Sequence, residues 1–157
     1  MDKRKYFIFG LLPLAMAALA FILSFNGCTP KPTEAPPTTV ITGTGQLSVS
    51  SADNRDSYSF VSGGVNYGKI NLVWFSSSLV TFEANGIVVG TGTTAPDSGY
   101  GTSSTVSVAY SYFVKTDNVV HYARVDVTSI NENSSTGYTT VGFNWVLQTE
   151  ANNRSLN

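Results

Sequence analysis

Two stretches decide the fold: HYARVDVTSI (121–130) and VGFNWVLQT (141–149). In the second, Val141, Phe143, Trp145 and Leu147 fall on alternate positions, with Gly142, Asn144 and Val146 between them. In and just before the first, Val119, Ala123, Val125 and Val127 share a parity with His121, and Tyr122, Arg124, Asp126 and Thr128 take the other. Successive side chains of a strand point to opposite faces, so each apolar stripe is one buried wall. Working outward, Ile70, Leu72 and Trp74 form such a stripe in GKINLVWF (68–75), and Val80, Phe82 and Ala84 form another. Tyr58 and Phe60 alternate with serines, and Val106, Val108, Tyr110, Tyr112 and Val114 alternate with Ser107, Ala109, Ser111 and Phe113. Turn chemistry separates the runs: SGG (62–64), Asn85-Gly86, the tract from Gly90 to Ser104, Thr116-Asp117-Asn118, and Asn131 to Gly137. Asn85-Gly86 between apolar runs predicts a hairpin. No helical stripe of useful length follows residue 30. The expected fold is all-β: an antiparallel sandwich or barrel of about seven to eight strands, preceded by an N-terminal apolar helix acting as signal peptide or anchor.

That helix is read from the first residues. Lys3, Arg4 and Lys5 precede an apolar run from Tyr6 to Leu23, the basic and apolar parts of a secretory signal. The run is about long enough to span a hydrocarbon core of about 30 Å, so a retained anchor competes with cleavage. Gly27 and Cys28 close the segment. A small residue directly before a cysteine at this place resembles bacterial lipoprotein precursors, although Phe25 and Asn26 stand where that family carries Leu and then Ala or Ser. The resemblance implies that the Cys28 sulfur receives a diacylglycerol and that the preceding peptide is removed. Membrane lipid is then a partner through Cys28, and the globular part sits on the extracytoplasmic side of a cell membrane. Pro30, Pro32, Pro36 and Pro37 crowd the next tract, which favours extended polyproline geometry of about 3.1 Å per residue. The expected organisation is a signal peptide over 1–27, a Pro/Thr-rich stalk over 28–39, an all-β domain over 40–150 and a polar tail over 151–157.

The 157 residues carry a formal charge of -1, with 12% charged residues, one cysteine and one histidine. A single cysteine excludes a disulfide framework and any paired-cysteine zinc or redox site. So little positive charge argues against a nucleic-acid partner, which calls for a basic surface. Beyond residue 27 six basic residues face nine acidic ones, a mildly acidic balance that suits solubility more than steering.

Motif searches yield little chemistry. Gly63 to Lys69 has the spacing of a phosphate-binding loop, but Ile70 stands where a magnesium-binding hydroxyl belongs and a strand follows. Gly90 to Ala95 fits a dinucleotide fingerprint, with Asp117 at the distance of a ribose-binding acid, yet Pro96-Asp97-Ser98-Gly99 forbids the helix. Asp53-Asn54-Arg55-Asp56 reads as a polar turn rather than a calcium loop, since Arg55 sits inside it. His121 reads as a half-buried strand residue with no Cys, Asp or second His partner visible nearby in sequence. Arg124 and Asp126 share one strand face and read as a charge pair. No GxSxG elbow occurs, and Glu83, Asp97, Asp117, Asp126 and Glu132 are the acids from which a glycosidase pair would have to come. No catalytic residue, metal site or cofactor is therefore expected.

Tyr67, Tyr100, Tyr122 and Tyr138, with Phe75 and Phe113, fall in loops or outside the main stripes. Such aromatics stack on sugar rings, anchor a protein partner, or pack into a second layer. The segments YSFVSGG (58–64), FEANG (82–86), YFVKT (112–116), HYARVDVTSI (121–130) and VGFNWVLQT (141–149) together resemble an uncharacterised all-β module of secreted bacterial proteins. The resemblance implies a shared fold and brings no activity or ligand. The expected role is a membrane-tethered, non-catalytic domain that contacts an envelope polymer or protein partner. The alternative is a small envelope hydrolase or transferase acting on a cell-wall or glycan substrate.

Overall fold

The computed structural model describes residues 39–76 and 79–157. The apolar helix, the signal reading of 1–27, Cys28 and all but the last residue of the 28–39 stalk lie outside them. Among the described residues no helix is long and apolar enough to cross a membrane. Eight strands follow in order: β1 (Val40–Val49), β2 (Arg55–Ser62), β3 (Val65–Ser76), β4 (Leu79–Val89), β5 (Gly101–Thr105), β6 (Ser111–Lys115), β7 (Tyr122–Asn133) and β8 (Tyr138–Gln148). All pair antiparallel in the spatial order β1-β8-β7-β6-β4-β3-β2, with β5 added on β4. The sheet coils until its two end strands meet, giving a nearly closed barrel. The all-β antiparallel expectation holds, and the barrel is the form it takes.

The expected stripes line the interior. Leu47, Phe60, Ile70, Leu72, Phe82, Val125, Val141, Phe143 and Leu147 are almost wholly buried in one cluster. Each such side chain contributes about 1.5–3 kcal/mol by leaving water. In β1, Gly43 and Gly45 lie opposite Trp145 and Phe143 of β8. The two rings lie over the glycines: a Cβ on Gly45 would stand 2.5 Å from Phe143 Cζ and 2.9 Å from Tyr58 Cε2. Tyr112 is also fully buried, and its hydroxyl is satisfied by the Ser107 amide at 2.9 Å and the Thr105 carbonyl at 2.8 Å. Burial raises its pKa.

The seam between β1 and β2 is closed by side chains. The Ser48 amide donates to Asp56 Oδ2 at 2.9 Å, and the Tyr58 hydroxyl donates to the Thr44 carbonyl at 3.1 Å. Trp145 Nε1 donates to the same hydroxyl at 2.9 Å. The Tyr58 ring meets Phe143 edge-on at 5.3 Å. Among the described residues no backbone hydrogen bond joins the two strands.

A second apolar layer covers the outside of β6 and β7. Phe113 and Tyr122 point outward, yet they are 0% and 7% exposed because Ala95, Tyr100 and Leu156 pack over them. The segment over 151–157 returns to the sheet: Leu156 N donates to Thr93 O at 2.7 Å, and Ala95 N to Arg154 O at 2.9 Å. Buried Gln148 anchors the turn between, donating to Ser155 O at 2.8 Å and accepting from Glu150 N at 3.0 Å.

Three local expectations differ from the structure. Asn85-Gly86 makes no hairpin; it lies inside β4, where the register with β5 shifts between Glu83 and Ile87. There a glycine lets the Lys115 stem and the Tyr100 ring approach the backbone. The run over 106–114 is not one strand. Ala109 has φ 64, Tyr110 N donates to Ser107 O, and Val108 and Tyr110 are exposed. The strand before this turn, β5, is a Gly/Ser/Thr segment that pairs through its backbone and needs no apolar stripe. Val119 is exposed in the turn before β7 rather than on its inner face.

Candidate functional site

β3 and β4 pair from Ser76 opposite Leu79 to Asn71 opposite Glu83, and then part. β4 continues beside β6 from Gly86 opposite Lys115. β3 instead meets the end of β6, where Lys69 N donates to Thr116 O at 3.1 Å. Ala84 and Asn85 stand in the parting with no partner residue in any of these ladders. A bulge in β3 widens it: Gly68 has φ 98, its amide donates to Asn66 Oδ1 at 2.8 Å, and a Cβ there would overlap the Thr116 carbonyl. The position therefore requires glycine.

The result is an open groove of about 540 Å³. Its lining is amide and hydroxyl in character. Asn66, Asn71, Asn85 and Asn118 supply amides, Ser59, Thr102 and Thr116 supply hydroxyls, and Lys69, Glu83 and Asp117 supply charge. Glu83 is bound to Arg55 Nη2 at 2.6 Å. The lining contains no aromatic ring. Asn and Thr groups both donate and accept, which suits a ligand carrying many hydroxyls or amides.

One rim of the groove is a clamped turn. Asp117 Oδ1 accepts from His121 N at 3.0 Å, and Oδ2 lies 2.7 Å from His121 Nδ1. His121, expected to have no acidic partner near it in sequence, is thus paired with Asp117 four residues upstream. Thr116 N donates to His121 O, and the Thr116 hydroxyl donates to Tyr67 O. Between them Val120 has φ 67, a left-handed conformation that a β-branched residue adopts only under constraint. Asn152 N donates to Val120 O at 2.9 Å and completes the clamp. The imidazole is held between Asp117 and the Tyr67 ring, whose edge meets it at 5.1 Å.

The four tyrosines singled out from the sequence are distributed over the barrel. Tyr67 packs on the interior cluster and on His121. Tyr100 and Tyr122 come together at 6.4 Å in the outer layer. The Tyr100 hydroxyl is buried without a hydrogen-bond partner, and burial, with Tyr122 beside it, pushes its pKa up to about 12. Tyr138 donates to Asp53 Oδ2, which raises its pKa. Phe113 is buried, whereas Phe75 is exposed. Arg124 and Asp126 pair at 3.0 Å along β7, and Arg124 Nη1 also holds the Gly92 carbonyl at 2.7 Å. Among the described residues no group of three His, Cys, Asp or Glu side chains is placed to hold a metal ion.

The groove residues carry no motif. Lys69, Asn71 and Asn85 occupy positions that alternation marks only as facing solvent. Asn66 shares the parity of the Ile70 and Leu72 stripe and is exposed because the bulge at Gly68 shifts the register, and the strand junction that unites them is a tertiary feature. The one local signal was the placement of Gly68 and Gly86 beside polar residues in otherwise regular strands. Comparison with known proteins finds no matching family model, curated relative or solved structure.

Proposed function

We propose that this chain is a membrane-tethered, non-catalytic cell-envelope lipoprotein, anchored by lipid on Cys28, whose barrel binds a hydroxyl-rich envelope polymer in the groove. The observation that carries the binding reading is the strand parting itself: a concave site lined by four asparagines and three hydroxyl residues. Its volume of about 540 Å³ falls within the range of small-ligand sites, about 300–1,000 Å³. The rim turn lies at the end of the barrel where the chain enters β1, since Thr149 N donates to Thr39 O and Asn152 N to Val120 O. Tethering rests on the basic and apolar leader with Gly27-Cys28.

The pair of His121 and Asp117 beside the groove favours the second reading, a small envelope hydrolase or transferase. Both carboxylate oxygens, however, bind groups of the same turn. Among the described residues no serine hydroxyl is hydrogen-bonded to the imidazole. The pair is therefore read as a clamp.

Two measurements test the proposal. Radiolabelled palmitate should enter the full chain and not Cys28→Ala; an unlabelled wild type removes the lipid anchor. Full-length protein in vesicles should be retained on purified envelope polymer, and the double substitution Asn85→Ala with Asn118→Ala should release it. Turnover of the polymer instead of retention would favour the enzymatic reading.

A further inference from the structure

The cationic side chains of the described residues are almost all engaged. Arg55 pairs with Glu83, Arg124 with Asp126 and Arg154 with Asp97. The Lys115 ammonium lies over the Tyr100 ring at 4.4 Å from its centroid. Lys69 is the exception among the described cations: it is exposed, has no ion pair, and lines the groove. Neither acid that shares the groove is ion-paired with Lys69. Glu83 is held by Arg55 at 2.6 Å, and Asp117 is held by His121 through both oxygens. Both Asp117 oxygens are tied to the rim turn, so the Lys69 ammonium is the one charged group of the lining that no described residue engages, flanked by amides and hydroxyls.

The backbone fixes where that ammonium is anchored. Lys69 follows the Gly68 bulge, and its own amide is tied to the Thr116 carbonyl. Its base is thereby held between the β3 bulge and the rim turn, facing the unpaired stretch of β4 at Ala84 and Asn85. A lysine behaves as a compact, strongly hydrated point charge with three donors. It accepts a carboxylate or a phosphate oxygen without the paired geometry that arginine demands.

We infer that the groove selects an anionic glycan, with Lys69 binding a carboxylate or phosphate on the polymer and the asparagine and threonine side chains binding its hydroxyls. This rests on the polymer-binding reading above and adds the charge of the ligand to it. The absence of an aromatic ring from the lining removes the usual stacking contribution to sugar binding, so the anion contact is the main source of selectivity.

The test uses full-length protein in neutral phosphatidylcholine vesicles and three probes: an oligogalacturonate for carboxylate, a glycerol-phosphate oligomer for phosphate, and an uncharged glucan. At least one anionic probe is expected to bind about tenfold more tightly than the glucan, the scale of one charge-assisted hydrogen bond. The preference is expected to shrink with added salt, and which anion leads identifies the group. Lys69→Gln should bring the favoured probe down to the glucan level, while Lys69→Arg retains most of the preference. Equal binding of all three probes by wild type, or an unchanged preference in Lys69→Gln, overturns the anion assignment. In those cases loss of binding in Asn85→Ala with Asn118→Ala still upholds the groove. Failure of wild type to bind any probe overturns both.

Discussion

Removing one oxygen atom tests how the barrel is closed. Tyr58→Phe keeps the ring that packs on Phe143 at 5.3 Å and on Phe60 at 5.5 Å. It deletes the hydroxyl that donates to Thr44 O and accepts from Trp145 Nε1. The first bond lies at the surface and contributes about 0.5 kcal/mol, the low end for an intramolecular hydrogen bond. The second matters more, because Trp145 is 7% exposed. Its indole N–H would be left unsatisfied, at a cost of about 1–3 kcal/mol. The expected destabilisation is about 2 kcal/mol, a large fraction of the stability of a small domain. Urea unfolding of the two proteins measures it, with the slope unchanged if both lose the same surface. A double-mutant cycle with Trp145→Phe isolates the shared bond, with an expected coupling of about 1 kcal/mol. A loss below about 0.5 kcal/mol, or no coupling, would refute the idea that these side chains hold the seam.

Further outcomes follow from the same contacts. Gly45→Val places a branched side chain against Phe143 and Tyr58, with a Cβ 2.5 Å from Phe143 Cζ; overpacking of this kind costs about 1–3 kcal/mol, read as a lowered unfolding midpoint. Leu156→Ala opens a cavity in the outer layer beside Phe113 and Tyr122, with an expected loss of about 2–3 kcal/mol and faster amide exchange over 151–157. The Tyr100 phenol is held neutral to about pH 12, against 10.0 when unperturbed. The unfolded chain therefore releases this proton first, and the stability contributed by the neutral phenol is whole below pH 10.0 and falls as pH rises towards 12. Tyr100→Phe should flatten that alkaline decline and remove one late-titrating tyrosine from the absorbance titration. Near neutral pH it should cost little, since the hydroxyl it removes has no partner.

The interior of the barrel was legible in the sequence because one face of each long strand is apolar: Ile70 and Leu72, Phe82, Val125 and Val127, and Val141 to Leu147 are buried where alternation places them. The outer layer was less so. Tyr122 and Phe113 looked like exposed aromatics because their parity points away from the barrel, and the cover supplied by Ala95 and Leu156 comes from distant segments. β5 lies at the end of a tract that reads as turn, since a Gly/Ser/Thr strand pairing through its backbone leaves no side-chain signature. Asn85-Gly86 misled for a related reason: the dipeptide signals unusual backbone, and here that need arises at a strand junction rather than a turn. The same junction creates the groove, so its residues share no sequence pattern.

Hydrogen–deuterium exchange of the full-length protein in vesicles, with and without bound polymer, tests the central claim most directly. The account predicts new protection confined to the peptides that line the groove, those covering 59, 66–71, 83–85, 102 and 116–118. Protection instead around the exposed apolar residues Phe75, Leu79 and Val108, or none at saturating polymer, would contradict it.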